Sequence, residues 1–456
     1  MIFSSLIFIF IFLPIFLLVY YIVPFKYKNI ILLIFSLLFY SWGEPIYILL
    51  LLFSSFINYY GSNIIRKCKD KKRKLYFILI IVINILLLGF FKYLNFIIGN
   101  LNLLGLNIEM VNIALPLGIS FFTFQTMSYT IDIYQDNDIV PDTFLNFLTY
   151  VSMFPQLVAG PIVRYQEVSN ELRKREIKKD NIYNGFFKFL TGLFKKVLLA
   201  NNIGYIFSLI TKDIGSISLL TAWLGIISFA LQIYYDFSGY SDMAKGIGTM
   251  LGFNYPDNFN YPYIADSITD FWRRWHITLS SWFRDYVYIP LGGNRCSKLI
   301  NIRNILIVWL LTGIWHGASW NFIIWGLYFG IILIIEKFII KKLLLKLPSF
   351  LKHIYAIILI LIGWVIFAFD DFNIVLLYLS KMFTNNIFID NSFLFFVKNY
   401  FVFYLFGILF CTPIIKKVKN SRIISVLIII IYIFLFIITI SFLVSDSYNP
   451  FLYFRF

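Results

Sequence analysis

Charge is scarce in this sequence: Asp, Glu, Lys and Arg make up 14% of its 456 residues, against 60% hydrophobic ones. Water-soluble domains carry about a quarter of their residues charged and rarely exceed half apolar, so that class is excluded. Apolar runs of about twenty residues recur from end to end, long enough to cross a bilayer. Alternation of apolar and polar residues is also missing. Barrel strands would need it, so the spans are helical, with every backbone amide satisfied internally. The three cysteines, Cys68, Cys296 and Cys411, are too few and too far apart for a disulfide framework or a metal-ligand set, and no metal site or resident cofactor is expected. The sequence holds no nucleophile elbow, no phosphate-binding glycine loop and no His-Glu-x-x-His. No acidic residue follows a histidine by five positions. Histidine itself is confined to His276, His316 and His353.

The net charge of +16 does not mark a nucleic-acid surface, because the Lys and Arg residues stand in short clusters between apolar runs. They act as topology signals. The clusters Arg66–Lys74, Arg164–Lys179, Arg273–Arg303, Lys337–Lys352 and Lys416–Arg422 belong on the cytoplasmic side. Loops 100–112, 211–216 and 369–391, poor in positive charge, belong outside. The reading is an all-α polytopic membrane protein in one membrane-embedded domain, 1–456. About 11 transmembrane or re-entrant helices fall near 2–23, 29–52, 75–98, 113–133, 144–160, 184–210, 217–235, 304–335, 354–369, 394–414 and 422–445. The first run has no preceding positive charge and no small-residue cleavage pattern, so it reads as a span rather than a signal peptide.

Two places break the inside–outside alternation. Segments 113–133 and 144–160 together join an outside loop to a cytoplasmic cluster, so only one crosses; Pro116 and Gly118 make 113–133 the re-entrant one. A single pass through 304–335 would join two cytoplasmic clusters. At 1.5 Å per residue it would also span well over 40 Å, more than the roughly 30 Å hydrocarbon core needs. The stretch Gly313-Ile-Trp-His-Gly-Ala-Ser-Trp-Asn321 interrupts it, and two shorter helices meeting there return the chain to its starting side. Irregular backbone at membrane depth survives only where protein buries it or where it lines a wet cavity, which places a cavity beside His316. Residues 236–335 form the core segment, with re-entrant or interfacial helices expected where the chain turns polar and turn-rich, between Asp236 and Arg303.

His316 is an ionisable group where such groups are costly, which makes it a site candidate; the alternative is a histidine satisfied by a neighbouring carbonyl. His276 lies in Phe271-Trp-Arg-Arg-Trp-His276, a mixture of rings and charges suited to a helix at the membrane surface. His353, in a Lys-rich loop, reads as exposed. Arg273, Arg274, Arg284 and Arg295 are most simply cytoplasmic charges, with Asp236, Asp242, Asp270 and Asp285 as partners, although an arginine cluster also suits phosphate groups. Trp272, Trp275, Trp282, Trp315 and Trp320 read first as belt and packing residues.

Four segments, FPQLVAGPIVRY at Phe154–Tyr165, QIYYDFSGYSDMAKGIGTMLGF at Gln232–Phe253, the run Asn258–Arg295 and LTGIWHGASWNFIIWG at Leu311–Gly326, resemble the membrane-bound O-acyltransferases. Within that family they are similar to the bacterial branch typified by an alginate O-acetylation membrane protein. The resemblance implies a ring of tilted helices around a central tunnel, with His316 as the catalytic histidine and His276 as the second functional one. It implies a cytosolic acyl thioester donor, acetyl-CoA or an acyl carrier, and an extracytoplasmic polysaccharide as acceptor. It also implies a separate hydrolase-like acetyltransferase partner outside the membrane, and residence in the bacterial cytoplasmic membrane. Arg273, Arg274, Arg284, Asp285, Trp315 and Asn321 become donor-binding or tunnel candidates, Asn321 as an oxyanion donor. Trp-Arg-Arg-Trp-His276 differs from the Trp-Asn-Arg-Trp-His of the teichoic-acid D-alanyl transferases, which favours acetyl over D-alanyl transfer. An exporter of polysaccharide or lipid-linked sugar is the rival from another class; it would need many more ionisable groups along a polar path. The tail, 446–456, reads as an extracytoplasmic aromatic anchor. It also resembles the Phe-x-Tyr-Phe motif of small membrane peptides that accompany D-alanyl transfer, which would make Tyr453 an acyl relay.

Overall fold

The computed structural model describes residues 1–136, 142–158, 160–414, 422–445 and 449–450. Among them every regular element is a helix. Among the described residues nine helices are long and apolar enough to cross a membrane: Ile48–Lys67, Asp70–Leu103, Lys179–Asp213, Leu219–Met250, Lys298–His316, Trp320–Phe338, Ser349–Ala368, Asn391–Phe410 and Ile423–Ser445. The protein is an all-α, multi-pass membrane protein.

Two compact units divide the chain, Met1–Phe189 with Ser241–Pro256, and Leu190–Tyr240 with Asp257–Phe456. In the first, the span expected at 29–52 is two helices, Phe25–Gly43 and Ile48–Lys67. Gly43 and Pro45 cause the break: the one is a poor helix former, and the other disfavours helical backbone at Glu44 before it. The expected re-entrant segment is the 17-residue helix Ile119–Gln135, buried along nearly its whole length. It starts at Gly118, whose φ of +72° and close approach to the Leu157 carbonyl exclude a side chain. Polar groups join the helices here. The Asn58 and Asn84 side chains exchange 3.0 Å hydrogen bonds, and the Thr130 hydroxyl donates to Asn58 Oδ1 at 2.9 Å. Such bonds hold helices together where lipid gives no hydrophobic drive between them.

In the second unit the expected break at 313–321 is present. Lys298–His316 and Trp320–Phe338 form a hairpin around Gly317, Ala318 and Ser319. Its two helices touch backbone to backbone: a Cβ on Gly326 would lie 2.3 Å from the Trp309 carbonyl, and one on Gly313 2.3 Å from that of Phe322. Residues 257–297 form short helices, Ile268–Arg274, Ile277–Phe283 and the π-helical turn Arg284–Tyr288. The loop expected at 369–391 contains a further apolar helix, Phe372–Phe383. The cluster Lys416–Arg422, apart from the backbone of its last residue, and the tail residue Tyr453 lie outside the described residues.

Candidate active site

The hairpin delivers His316 as the last residue of its first helix, 6% exposed. Rings surround it. Trp325 on the return helix lies 4.9 Å away, Trp315 5.1 Å and Phe367 5.4 Å. A buried indole cluster continues outward: Trp272 packs on Trp309 at 4.7 Å and on Trp325 at 5.5 Å, while Trp275 packs on Trp364 at 4.9 Å. Edge-to-face pairs of this kind contribute about 0.5–1.5 kcal/mol each beyond area burial, so the histidine is set in a stiff wall.

His276 reaches the same neighbourhood by a different route. Its φ of +44° lets the chain turn sharply between Ile268–Arg274 and Ile277–Phe283. Asn258 fixes the ring. Its Oδ1 lies 3.0 Å from His276 Nδ1 and also accepts from the Thr278 hydroxyl at 2.9 Å and the Thr278 amide at 3.3 Å. An oxygen that accepts from these donors makes Nδ1 the protonated nitrogen and puts the lone pair of the neutral ring on Nε2. Burial pushes the His276 pKa down from 6.5 to about 3, so the ring is neutral at physiological pH. Phe237 packs edge-on at 4.7 Å, and Trp315 lies 5.9 Å from His276 and 5.1 Å from His316, in ring contact with both imidazoles.

A carboxylate holds the helix that leads to His276. Glu336, buried near the end of Trp320–Phe338, accepts from the Ile268 amide at 2.7 Å, the Thr269 amide at 2.8 Å and the Thr269 hydroxyl at 2.6 Å. A negative charge on the first amides of Ile268–Arg274 satisfies donors that the helix itself cannot. His353 is half-buried rather than exposed, because its Nδ1 donates to the Ala265 carbonyl at 3.1 Å in the same turn.

The other candidates are placed less uniformly. Trp315 and Asn321 are buried in the hairpin, Asn321 with its Nδ2 3.5 Å from the Ile366 carbonyl. Arg273 is exposed. Arg274 pairs with Asp270 at 2.8 Å, and Arg284 with its neighbour Asp285 at 2.6 Å. Arg274 and Arg284 thus each have a carboxylate partner within four residues along the chain. Among the described residues no group of three His, Cys, Asp or Glu side chains is placed to hold a metal. Asn258 and Glu336 were missed as site residues. Glu336 carried a signal, being the single acidic residue in the helix Trp320–Phe338, but it falls just past the end of the segment expected at 304–335.

Comparison with known proteins bears on this geometry. The model of the MBOAT, membrane-bound O-acyltransferase, family matches residues 77–380. The chain is 39% identical to the probable alginate O-acetylase of Azotobacter vinelandii over 395 residues, covering 84% of this chain and 78% of that protein. It is 39% identical to the peptidoglycan O-acetyltransferase of Helicobacter pylori over 404 residues, covering 80% and 77%. Similarity to the teichoic acid D-alanyltransferase of Bacillus subtilis is 31% over 241 residues, half of this chain and 61% of that protein.

Proposed function

Because the chain belongs to the membrane-bound O-acyltransferase family and is an acyltransferase, we propose that it moves an acetyl group from cytosolic acetyl-CoA across the bacterial cytoplasmic membrane for O-acetylation of an extracytoplasmic polysaccharide. The observation that carries this reading is the pair of buried imidazoles flanking Trp315, one at the break of a membrane hairpin and one held in a defined tautomer by Asn258. Acetyl is favoured over D-alanyl because the two acetylating relatives match four-fifths of the chain or more, and the D-alanylating one half of it.

In the proposed reaction an acceptor hydroxyl oxygen attacks the thioester carbonyl carbon while His316 takes the hydroxyl proton. The C–S bond then breaks, and the coenzyme A thiolate leaves with that proton as the free thiol. Asn321 lies in the same hairpin and can donate to the oxyanion. His276, neutral and fixed, organises the donor side. Tyr453 is the proposed first acceptor: its phenol oxygen takes the acetyl group, and a later hydroxyl displaces the phenoxide, which regains a proton. A phenyl ester is more reactive than an alkyl ester, so both transfers are accessible to one imidazole. A hydrolase-like partner outside the membrane would place the group on the polymer.

A positioned base contributes typically about 10²–10⁴-fold. His316→Ala is therefore expected to lower acetyl transfer from labelled acetyl-CoA in proteoliposomes by that factor. Parental transfer in this variant, with polysaccharide export abolished in cells, would instead establish the exporter.

A further inference from the structure

A second buried polar pair stands one residue before Phe237, the ring that packs on His276. Lys196 and Asp236 pair at 2.6 Å, with side chains 2% and 4% exposed, near the middle of the long helices Lys179–Asp213 and Leu219–Met250. Gly239, one turn beyond Asp236, lets these helices meet: a Cβ there would lie 2.8 Å from the Gly192 carbonyl and 3.2 Å from the Lys196 amide. Lys196 belongs to a π-helical stretch, Lys195–Asn201, a departure from α-geometry that is frequent at functional sites. A buried ion pair is weak evidence for stability, since an apolar pair of similar size often serves as well or better. The Lys196 ammonium has a further partner beside Asp236.

What it holds is the end of the chain. Lys196 Nζ donates to the Pro450 carbonyl, and Asn201 Nδ2 donates to Asn449 Oδ1 at 3.2 Å. The helix Arg422–Ser445 packs on the same long helix, with the Tyr432 and Thr191 hydroxyls 2.7 Å apart and the Tyr432 and Phe194 rings 5.4 Å apart. Eighteen residues of continued helix would carry the chain about 27 Å beyond Tyr432, whereas Lys196 is only about 7.5 Å along the helix from Thr191. Asn449 and Pro450 therefore lie back along the helix rather than beyond its end.

We propose that the Lys196–Asp236 pair is the receptor for the protein's own C-terminal segment. Asp236 holds the ammonium in place, and the ammonium seats Asn449–Pro450 inside the membrane. The seat sets the point from which the last six residues, Tyr453 among them, begin. Only the purpose of the seat rests on the relay reading of Tyr453; its existence does not.

The test is cysteine pairing in membranes, in a background with Cys68, Cys296 and Cys411 replaced by alanine. Asn201→Cys with Asn449→Cys is expected to form a disulfide rapidly under mild oxidation, read by protection of both thiols from a maleimide. Lys196→Met combined with Asp236→Asn removes the charge and leaves no lone carboxylate buried. In that background pairing is expected to slow by about tenfold or more, the effect of losing a hydrogen bond to a charged group. Detergent elution of the same variant establishes that it is folded. Absence of pairing in the parent, or equal pairing in the folded double variant, overturns the seat. Lys196-dependent pairing together with parental acetyl transfer in Tyr453→Phe sustains the seat and overturns the relay.

Discussion

His276 shows how far a single residue can be read from its own motif. Its motif marked it, yet the surrounding rings and charges pointed to a helix at the membrane surface, whereas the ring is buried between Phe237 and Trp315 and bonded to Asn258. Asn258 lies eighteen residues earlier, across a turn that no local periodicity encodes, so the partner could not be read from spacing. The burial has a consequence for pH. The folded ring has its pKa pushed down to about 3, while in the unfolded chain it is about 6.5, so below pH 6.5 the unfolded state binds a proton that the folded state does not. Stability is thus undiminished above pH 6.5 and lost as pH falls from there toward 3, by up to about 2 kcal/mol at pH 5 from this residue. Thermal melts in detergent should show the parent losing more midpoint temperature between pH 7 and pH 5 than His276→Gln does. Equal losses would mean that the imidazole becomes protonated in the folded protein.

At the scale of elements, the hairpin was readable because two independent constraints met: charge parity forbade a single pass through 304–335, and Gly313 and Gly317 with His316 marked the break. The helix pair Phe25–Gly43 and Ile48–Lys67 was not, because apolar residues run through Glu44 and mask the turn that Gly43 and Pro45 impose. The helix Phe372–Phe383 was hidden for a similar reason, lying in a stretch judged a loop by its acidic ends. Glu336 joins two elements, since its carboxylate caps Ile268–Arg274 from the return helix of the hairpin. Glu336→Leu leaves the Ile268 and Thr269 amides unsatisfied, at about 1–3 kcal/mol each, and frees the helix that leads to His276. Its kcat is expected to fall more than about tenfold. Glu336→Gln keeps the shape and one acceptor oxygen, and should retain most of the activity. Rates with matched melts check this; if glutamine and leucine damage kcat equally, a single acceptor oxygen at this position does not hold the helix.

For the molecule as a whole, composition alone was enough for the membrane and the helices, because 60% hydrophobic residues in runs of this length have no other stable state in water or lipid. The family followed from four motifs and from relatives about 40% identical over four-fifths of the chain. What the sequence left hidden was long-range: the partners Asn258 and Glu336, and the return of Asn449–Pro450 to Lys196, are contacts between residues 18, 68 and 254 positions apart. The central claim is that acetyl groups cross the membrane through this protein by way of His316 while coenzyme A stays behind. Its most direct test uses proteoliposomes in which acetyl-CoA doubly labelled, in the acetyl group and in the coenzyme, is supplied only on the face bearing the Lys and Arg clusters. Acetyl label should then reach acceptor on the opposite face, with coenzyme label remaining on the side of addition. In His316→Ala vesicles acetyl passage should be lower by about 10²–10⁴-fold. Acetyl label crossing at the parental rate in His316→Ala, or coenzyme label crossing with it, would contradict the account.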